Sequence, residues 1–165
     1  MELAVVVGQR AFCISEQDVP KFIAGYCVCR DLSERAYQLE GTGKWMKGKG
    51  CSTFGPLGLW RVTPDEAGDV QNLRLWLDVN GNRMQEGSTR TMIFNVNFLT
   101  AYISRYMALE PGGVITTGTP PGGGFGRTPP QYLKAGDTID LGIDNLGTQR
   151  QVVRETPSTE RRATA

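Results

Sequence analysis

Apolar positions along this chain recur in two rhythms. Leu73, Leu75, Leu77 and Val79 alternate with Arg74, Trp76 and Asp78, a period of two that predicts a strand with one buried face. Asn80-Gly81 follows at once, the strongest short hairpin signal, so residues 83–87 are read as the return strand. Glu2 to Gly8 is a near-continuous apolar run and predicts a first strand. Tyr26 to Arg30 predicts a short buried strand ending at Asp31, and Val114 to Thr117 a β-branched strand. Thr138–Ile143 and Gln149–Val153 flank Asn145-Leu146-Gly147 as a final hairpin. The helical rhythm is clearest at Val96, Leu99, Ile103, Tyr106 and Met107, with Asn95 as cap, and that stripe is expected to face the core. Ser15 with Asp18, and Gly25 as a stop, suggest a short helix made irregular by Pro20. Ser33 to Glu40 reads as one or two helical turns, and the glycine-rich stretch 41–58 as loop. Many short strands with few helices predict a β-rich α+β fold, a sandwich or roll with helices at its edges.

Composition narrows the function. The 165 residues suit one domain with its own core. A net charge of +1 supplies no basic stripe for phosphate contacts, so no nucleic-acid partner is expected. The longest apolar runs are far too short to cross a membrane, and no signal peptide is visible, which sets a soluble, cytoplasmic protein as the expectation. There are four cysteines, Cys13, Cys27, Cys29 and Cys51, and no histidine. The absence of Cys-x-x-Cys pairs and of histidine argues against zinc, and buried thiols are expected rather than a disulfide framework. It also excludes a Ser-His-Asp or Cys-His arrangement within the chain.

Candidate chemistry lies in five places. Thr116-Thr117-Gly118-Thr119-Pro120-Pro121 leads a strand into a glycine-rich loop. Such a loop can aim backbone N–H groups at an anionic oxygen, or can simply be a tight surface turn, and the local sequence leaves both open. Glu2 is an acid on an apolar strand, Asp31 ends a strand, Gln38 follows it, and Lys49 sits within Lys47-Gly48-Lys49-Gly50. Carboxylates at strand ends with no Cys or His beside them suit a hard cation, Mg²⁺ or Mn²⁺. A lysine beside that cation can hold an enolate or carboxylate. Each residue alone also has a plain structural reading: a terminal charge for Glu2, a helix cap for Asp31, a solvated lysine for Lys49.

Taken in order, these segments carry more than any one of them. Glu-Leu-Ala-Val-Val-Val-Gly, Ala-Gly-Tyr-Cys-Val-Cys-Arg-Asp-Leu-Ser-Glu-Arg, Lys-Gly-Lys-Gly-Cys-Ser-Thr-Phe-Gly-Pro-Leu-Gly, Thr89-Arg90-Thr91-Met92-Ile93-Phe94, Thr-Gly-Thr-Pro-Pro-Gly and Tyr132-Leu133-Lys134-Ala135-Gly136-Asp137 follow one another. This series resembles the C-terminal catalytic domain of the fumarylacetoacetate hydrolase family over residues 1–153, with 154–165 expected to be a disordered tail. The resemblance implies a mixed β-sandwich roll with a few peripheral helices, one divalent cation, Mg²⁺ or Mn²⁺, and a homodimer. It implies a 2-oxo acid or 1,3-dicarbonyl acid as substrate and C–C hydrolysis or lysis as the reaction. By position, Glu2 and Asp31 match metal ligands, and Lys49 matches the catalytic lysine that also holds substrate. Gln38, Gly118 and Thr119 match substrate contacts.

The chain also departs from the family pattern. Glu2 matches the second glutamate of a Glu-x-Glu pair whose first member would precede Met1. The upstream segment that the family carries over the site, often with a histidine–carboxylate pair, is not in this sequence, as in an N-terminally truncated member. Arg30 stands where the family usually has Asn, and Ser52 where it usually has Asp. Three readings therefore stay open: a metal-dependent hydrolase or lyase, a degenerate relative that keeps the fold and binds a ligand or subunit without catalysis, and an isomerase or decarboxylase.

Overall fold

A computed structural model describes residues 1–40 and 43–155. The expected tail beyond Glu155 and the Gly41-Thr42 part of the predicted loop lie outside the described residues. Two antiparallel sheets form the body of the fold. The first holds β1 (Glu2–Val7), β2 (Ile23–Cys29) and β5 (Val114–Thr116), with β1 at its centre. The second holds β3 (Arg74–Val79), β4 (Asn82–Ser88), β6 (Thr138–Ile143) and β7 (Gly147–Val152) in the order β4-β3-β6-β7. The predicted sandwich with helices at its edges is therefore the observed architecture.

The core lies between the sheets because alternate residues of each strand point inward. Leu3, Val5, Val28 and Ile115 from the first sheet join Leu75, Leu77, Ile139 and Leu141 from the second in one cluster. Leu141 is fully buried, and truncating it to alanine would cost about 2–5 kcal/mol. The opposite face of β1 and β2 carries a second, small cluster of Ala4, Cys27 and Cys29. The predicted shared face of Cys27 and Cys29 is thus real. Burial pushes the Cys29 thiol up to about 12, and the nearby Glu2 carboxylate adds to the shift.

The Asn80-Gly81 hairpin forms as expected, with both residues at positive φ, 51° and 79°. Four expectations need correction. Gly25 does not stop a helix; it lies inside β2, where a side chain would meet the Val62 carbonyl at 2.2 Å. Only a 3-10 turn, Val19–Phe22, precedes it. The stretch 41–58 is not all loop, since Trp45–Lys49 is a helical turn, here α2, packed against α1 (Arg35–Leu39). Cys13 is exposed rather than buried. Beyond α3 (Pro64–Ala67), the helix α4 spans Val96–Ser104, capped by Asn95 Oδ1 accepting from Phe98 N at 2.7 Å. It ends before Tyr106 and Met107, which are exposed; Val96 is buried and Ile103 packs on the core as expected, and Thr100, Ala101 and Ser104 are buried beside them. No helix among the described residues is long and apolar enough to cross a membrane.

Candidate functional site

The register of the first sheet gathers three distant segments. Glu2 pairs with Cys29, and Ala4 with Thr116. Glu2, Arg30-Asp31 and Thr117–Thr119 therefore meet at one end of the sheet. The glycine-rich loop then continues along β1 by hydrogen bonds rather than leaving it. Thr117 N and Oγ1 donate to Leu3 O at 3.2 and 2.9 Å. Gly118 N donates to Glu2 Oε2 at 2.7 Å, and Thr119 Oγ1 donates to Met1 O at 3.1 Å. Gly118 adopts φ 100°, a backbone that favours glycine, and there the strand-like run gives way to the loop.

Asp31 does not cap a helix. Glu34 caps α1 by accepting from Ala36 N, while the Asp31 carboxylate forms an ion pair with Lys49 Nζ. Lys49 is the last residue of α2, and its position depends on Gly48. A side chain at 48 would meet Glu34 O at 2.6 Å and Gln38 Cβ at 2.7 Å, so only glycine lets α2 close on α1. Glu2 feels both members of that pair. Burial raises its carboxyl above the ordinary range and the Asp31 charge adds to this, while the Gly118 N–H, the α-amino group and Lys49 oppose it. Burial also pushes the Met1 α-amino group down to about 6.

Gln38 is fully buried beneath this layer. Its Oε1 accepts from Arg35 Nη1, its Nε2 has no protein partner, and it does not line the open cleft. Arg35 in turn lies 5.0 Å above the Phe125 ring. The cleft itself holds about 860 Å³ and is lined by Met1, Arg30, Asp31, Gln85, Thr119 and Phe125, among others.

Gln85 was not singled out from sequence. It is the buried residue of β4, opposite Leu77, and it ties the two sheets to the loop. Its Nε2 donates to Thr119 Oγ1 and to Pro120 O, both at 2.9 Å, and its Oε1 accepts from Met1 N at 2.9 Å. The Thr119 hydroxyl is thus already engaged on two sides. The sequence signal was a polar residue at an inward strand position, which gains meaning only once its partners are known. Arg30 is buried as well, and its Nη1 donates to Gln151 Oε1 at 2.6 Å. Burial lowers its guanidinium to about 10.

The donor chemistry fits a hard cation in kind but is sparse in number. Glu2 and Asp31 are both oxygen donors within electrostatic reach of each other. Among the described residues no group of three or more His, Cys, Asp or Glu could hold a metal ion. Mg²⁺ is commonly held by one or two carboxylates, with waters and substrate oxygens completing its shell, so this pair is compatible with it.

Comparison with known proteins identifies the family. The family model described as fumarylacetoacetate hydrolase C-terminal matches residues 1–154. A protein from Burkholderia ambifaria that carries only a general hydrolase name is 55% identical over 155 residues, 93% of this chain and 55% of its own length. The fumarylacetoacetate hydrolase of Exiguobacterium antarcticum superposes with a TM-score of 0.90 at 35% identity, over 94% of this chain and 55% of that one. The 5-carboxymethyl-2-hydroxymuconate delta-isomerase of Mycobacterium smegmatis gives 0.83 at 34% identity, over 94% of this chain and 58% of that one. The chain thus spans about half the length of the curated relatives it matches. It belongs to the fumarylacetoacetate hydrolase family and corresponds to that family's C-terminal domain.

Proposed function

We propose that the chain carries the centre of a divalent-cation-dependent enzyme that cleaves a C–C bond in a 2-oxo acid or 1,3-dicarbonyl acid. Enzymes of this family generally use a divalent cation. The observation that carries the reading is one convergence: the Asp31–Lys49 pair lies within electrostatic reach of Glu2, whose carboxylate is fixed by Gly118 at the head of the loop. Glu2 and Asp31 are the residues that would hold Mg²⁺ or Mn²⁺, and bound there the ion would polarise the substrate's oxo group. Asp31 orients the Lys49 ammonium, which stabilises the enolate charge that develops as the C–C bond breaks. Thr119, exchanging its bond to Met1 O, offers its hydroxyl to the substrate carboxylate. Gln85 holds that hydroxyl at the cleft wall, and Gln38 steadies Arg35 behind it. None of the chain's residues is a histidine, and water activation is assigned to none of them.

The test is a calorimetric titration of Mn²⁺ into this chain and into Asp31→Ala. Tight binding by the parent and its loss in the variant support the reading; equally weak binding by both would sink the cation site. A second reading, isomerisation without cleavage, is favoured by the likeness to the Mycobacterium smegmatis isomerase. Mass analysis of products from a panel of acylpyruvates and unsaturated 2-oxo acids separates the two, since isomerisation leaves the mass unchanged.

A further inference from the structure

The cleft is polar only in part. Its lining also includes Val79, Met84, Phe125, Leu133 and Val153. Val79, Met84 and Val153 pack against the core cluster. The strand register sets two of these beyond the polar end. Gln85, which holds Thr119, is opposite Leu77, and Val79 follows two residues on, about 7 Å further along the same face of β3. Gln151 is in line with Val79 through Ile139, and Val153 lies two residues past it. The charged side chains of the described lining belong to residues 30–40, apart from Arg154.

Phe125 is the aromatic residue that two different elements fix. It sits in the 3-10 turn Gly124–Gly126, and that segment is pinned to β4 at one carbonyl. Arg127 Nη2 donates to Met84 O at 3.3 Å, and a side chain at Gly122 would meet the same oxygen at 2.0 Å. On the other side Arg35 of α1, itself bonded to Gln38 Oε1, lies over the ring. The ring is still 48% exposed, so its anchoring leaves apolar surface free beside the cleft. Apolar surface gathered on a polar-rimmed opening marks a place for a ligand's apolar part.

We propose that this stretch is an acyl pocket, with Phe125 as its specificity-determining wall, and that it selects acylpyruvates whose acyl group is bulky and apolar. This rests on the 2-oxo acid reading above. A substrate held by its carboxylate at Thr119 and extended along β3 brings its acyl end to Val79, Met84 and Phe125. A wall fixed before the ligand arrives loses little freedom on binding, which favours a flat or branched apolar group. The plain alternative is that Phe125 only ties its loop to α1.

The test is calorimetric binding, in the presence of Mg²⁺, of three acids that share one dioxo head: 2,4-dioxo-4-phenylbutanoate, 2,4-dioxopentanoate and 2,4-dioxohexanedioate. The parent is expected to bind the phenyl compound about ten-fold or more tighter than the methyl one. Phe125→Ala should remove most of that ratio, with the loss falling on the phenyl compound, and Phe125→Leu should restore part of it. A parent that binds phenyl and methyl compounds equally, or the dicarboxylate tightest, overturns the acyl pocket and leaves the 2-oxo acid reading standing. A parent that binds none of the three overturns both. A ratio that survives in Phe125→Ala, with both affinities lowered alike, shows that the ring only holds its loop and also overturns the proposal. Should Phe125→Ala fail to melt cooperatively, Leu133→Gln takes its place, with a reduced ratio expected and an unchanged one counting against the pocket.

Discussion

The Glu2 carboxylate accepts a 2.7 Å hydrogen bond from the backbone N–H of Gly118, across 116 positions of sequence. That bond joins the proposed cation ligand to the loop that follows β5. Glu2→Gln keeps the shape and an acceptor oxygen but removes the charge. Its Mn²⁺ affinity should fall by at least about ten-fold, since even the partners of metal ligands are worth that much. Stability should move the other way. The folded chain raises the Glu2 pKa above its ordinary 4.5, so it binds that proton more readily than the unfolded chain does. The contribution of Glu2 to stability therefore falls as pH rises through the window above 4.5. In metal-free buffer the variant should melt at or above the parent near neutral pH, and the gap should close as the pH is lowered into that window.

Gly48→Ala places a methyl group 2.6 Å from the Glu34 carbonyl. Backbone must move to admit it, at a cost of about 1–3 kcal/mol in denaturant unfolding. The displaced turn carries Lys49 away from Asp31, so turnover should fall far more than the stability loss explains. Unchanged turnover would remove α2 packing from the account of the site.

Gln85→Leu fills the same space without its amide. Thr119 Oγ1 and Pro120 O each lose a donor, and the loss should amount to about 1–3 kcal/mol by thermal or chemical unfolding. The loop would be less well held, so KM for a substrate should rise. A normal KM with the stability loss intact would confine Gln85 to the fold.

Asp137 supports the far end of the second sheet. Its carboxyl is held below the ordinary 3.8, first by the Asn80 side chain and then by the Lys134 N–H. A depressed folded pKa means that the contribution is present above 3.8 and is lost as the pH falls below it. Asp137→Asn should lower the melting midpoint near neutral pH, and the difference from the parent should vanish in strong acid.

Local signals made the second sheet legible. Leucine alternation and Asn80-Gly81 specify β3 and its turn without help from elsewhere, and the structure follows them. Glycine was harder to read, because one residue type serves different ends. Gly25 answers a close approach by Val62 and Gly48 a close approach by Glu34, and both contacts come from tertiary packing that a local pattern cannot display. The stripe through Tyr106 and Met107 overran its helix, which ends at Ser104 and leaves Phe94, Phe98 and Tyr102 stacked in a row with Tyr106 edge-on to Tyr102. The site was legible only as an order of motifs. Glu2, Asp31, Lys49 and Gly118 are brought together, whereas Gln38 lies beneath the cleft wall. Gln85 and Arg30 depend on partners far away in sequence, and nothing near them announces those partners.

The stitching of Thr117, Gly118 and Thr119 to Leu3, Glu2 and Met1 has a kinetic consequence. A loop fastened at three successive residues to the central strand of a sheet has little freedom to fold over an arriving molecule. Association of a small anion should then proceed in one step. In stopped-flow mixing the observed rate constant should climb linearly with ligand concentration, and a plateau would reveal a hinge that this stitching does not provide.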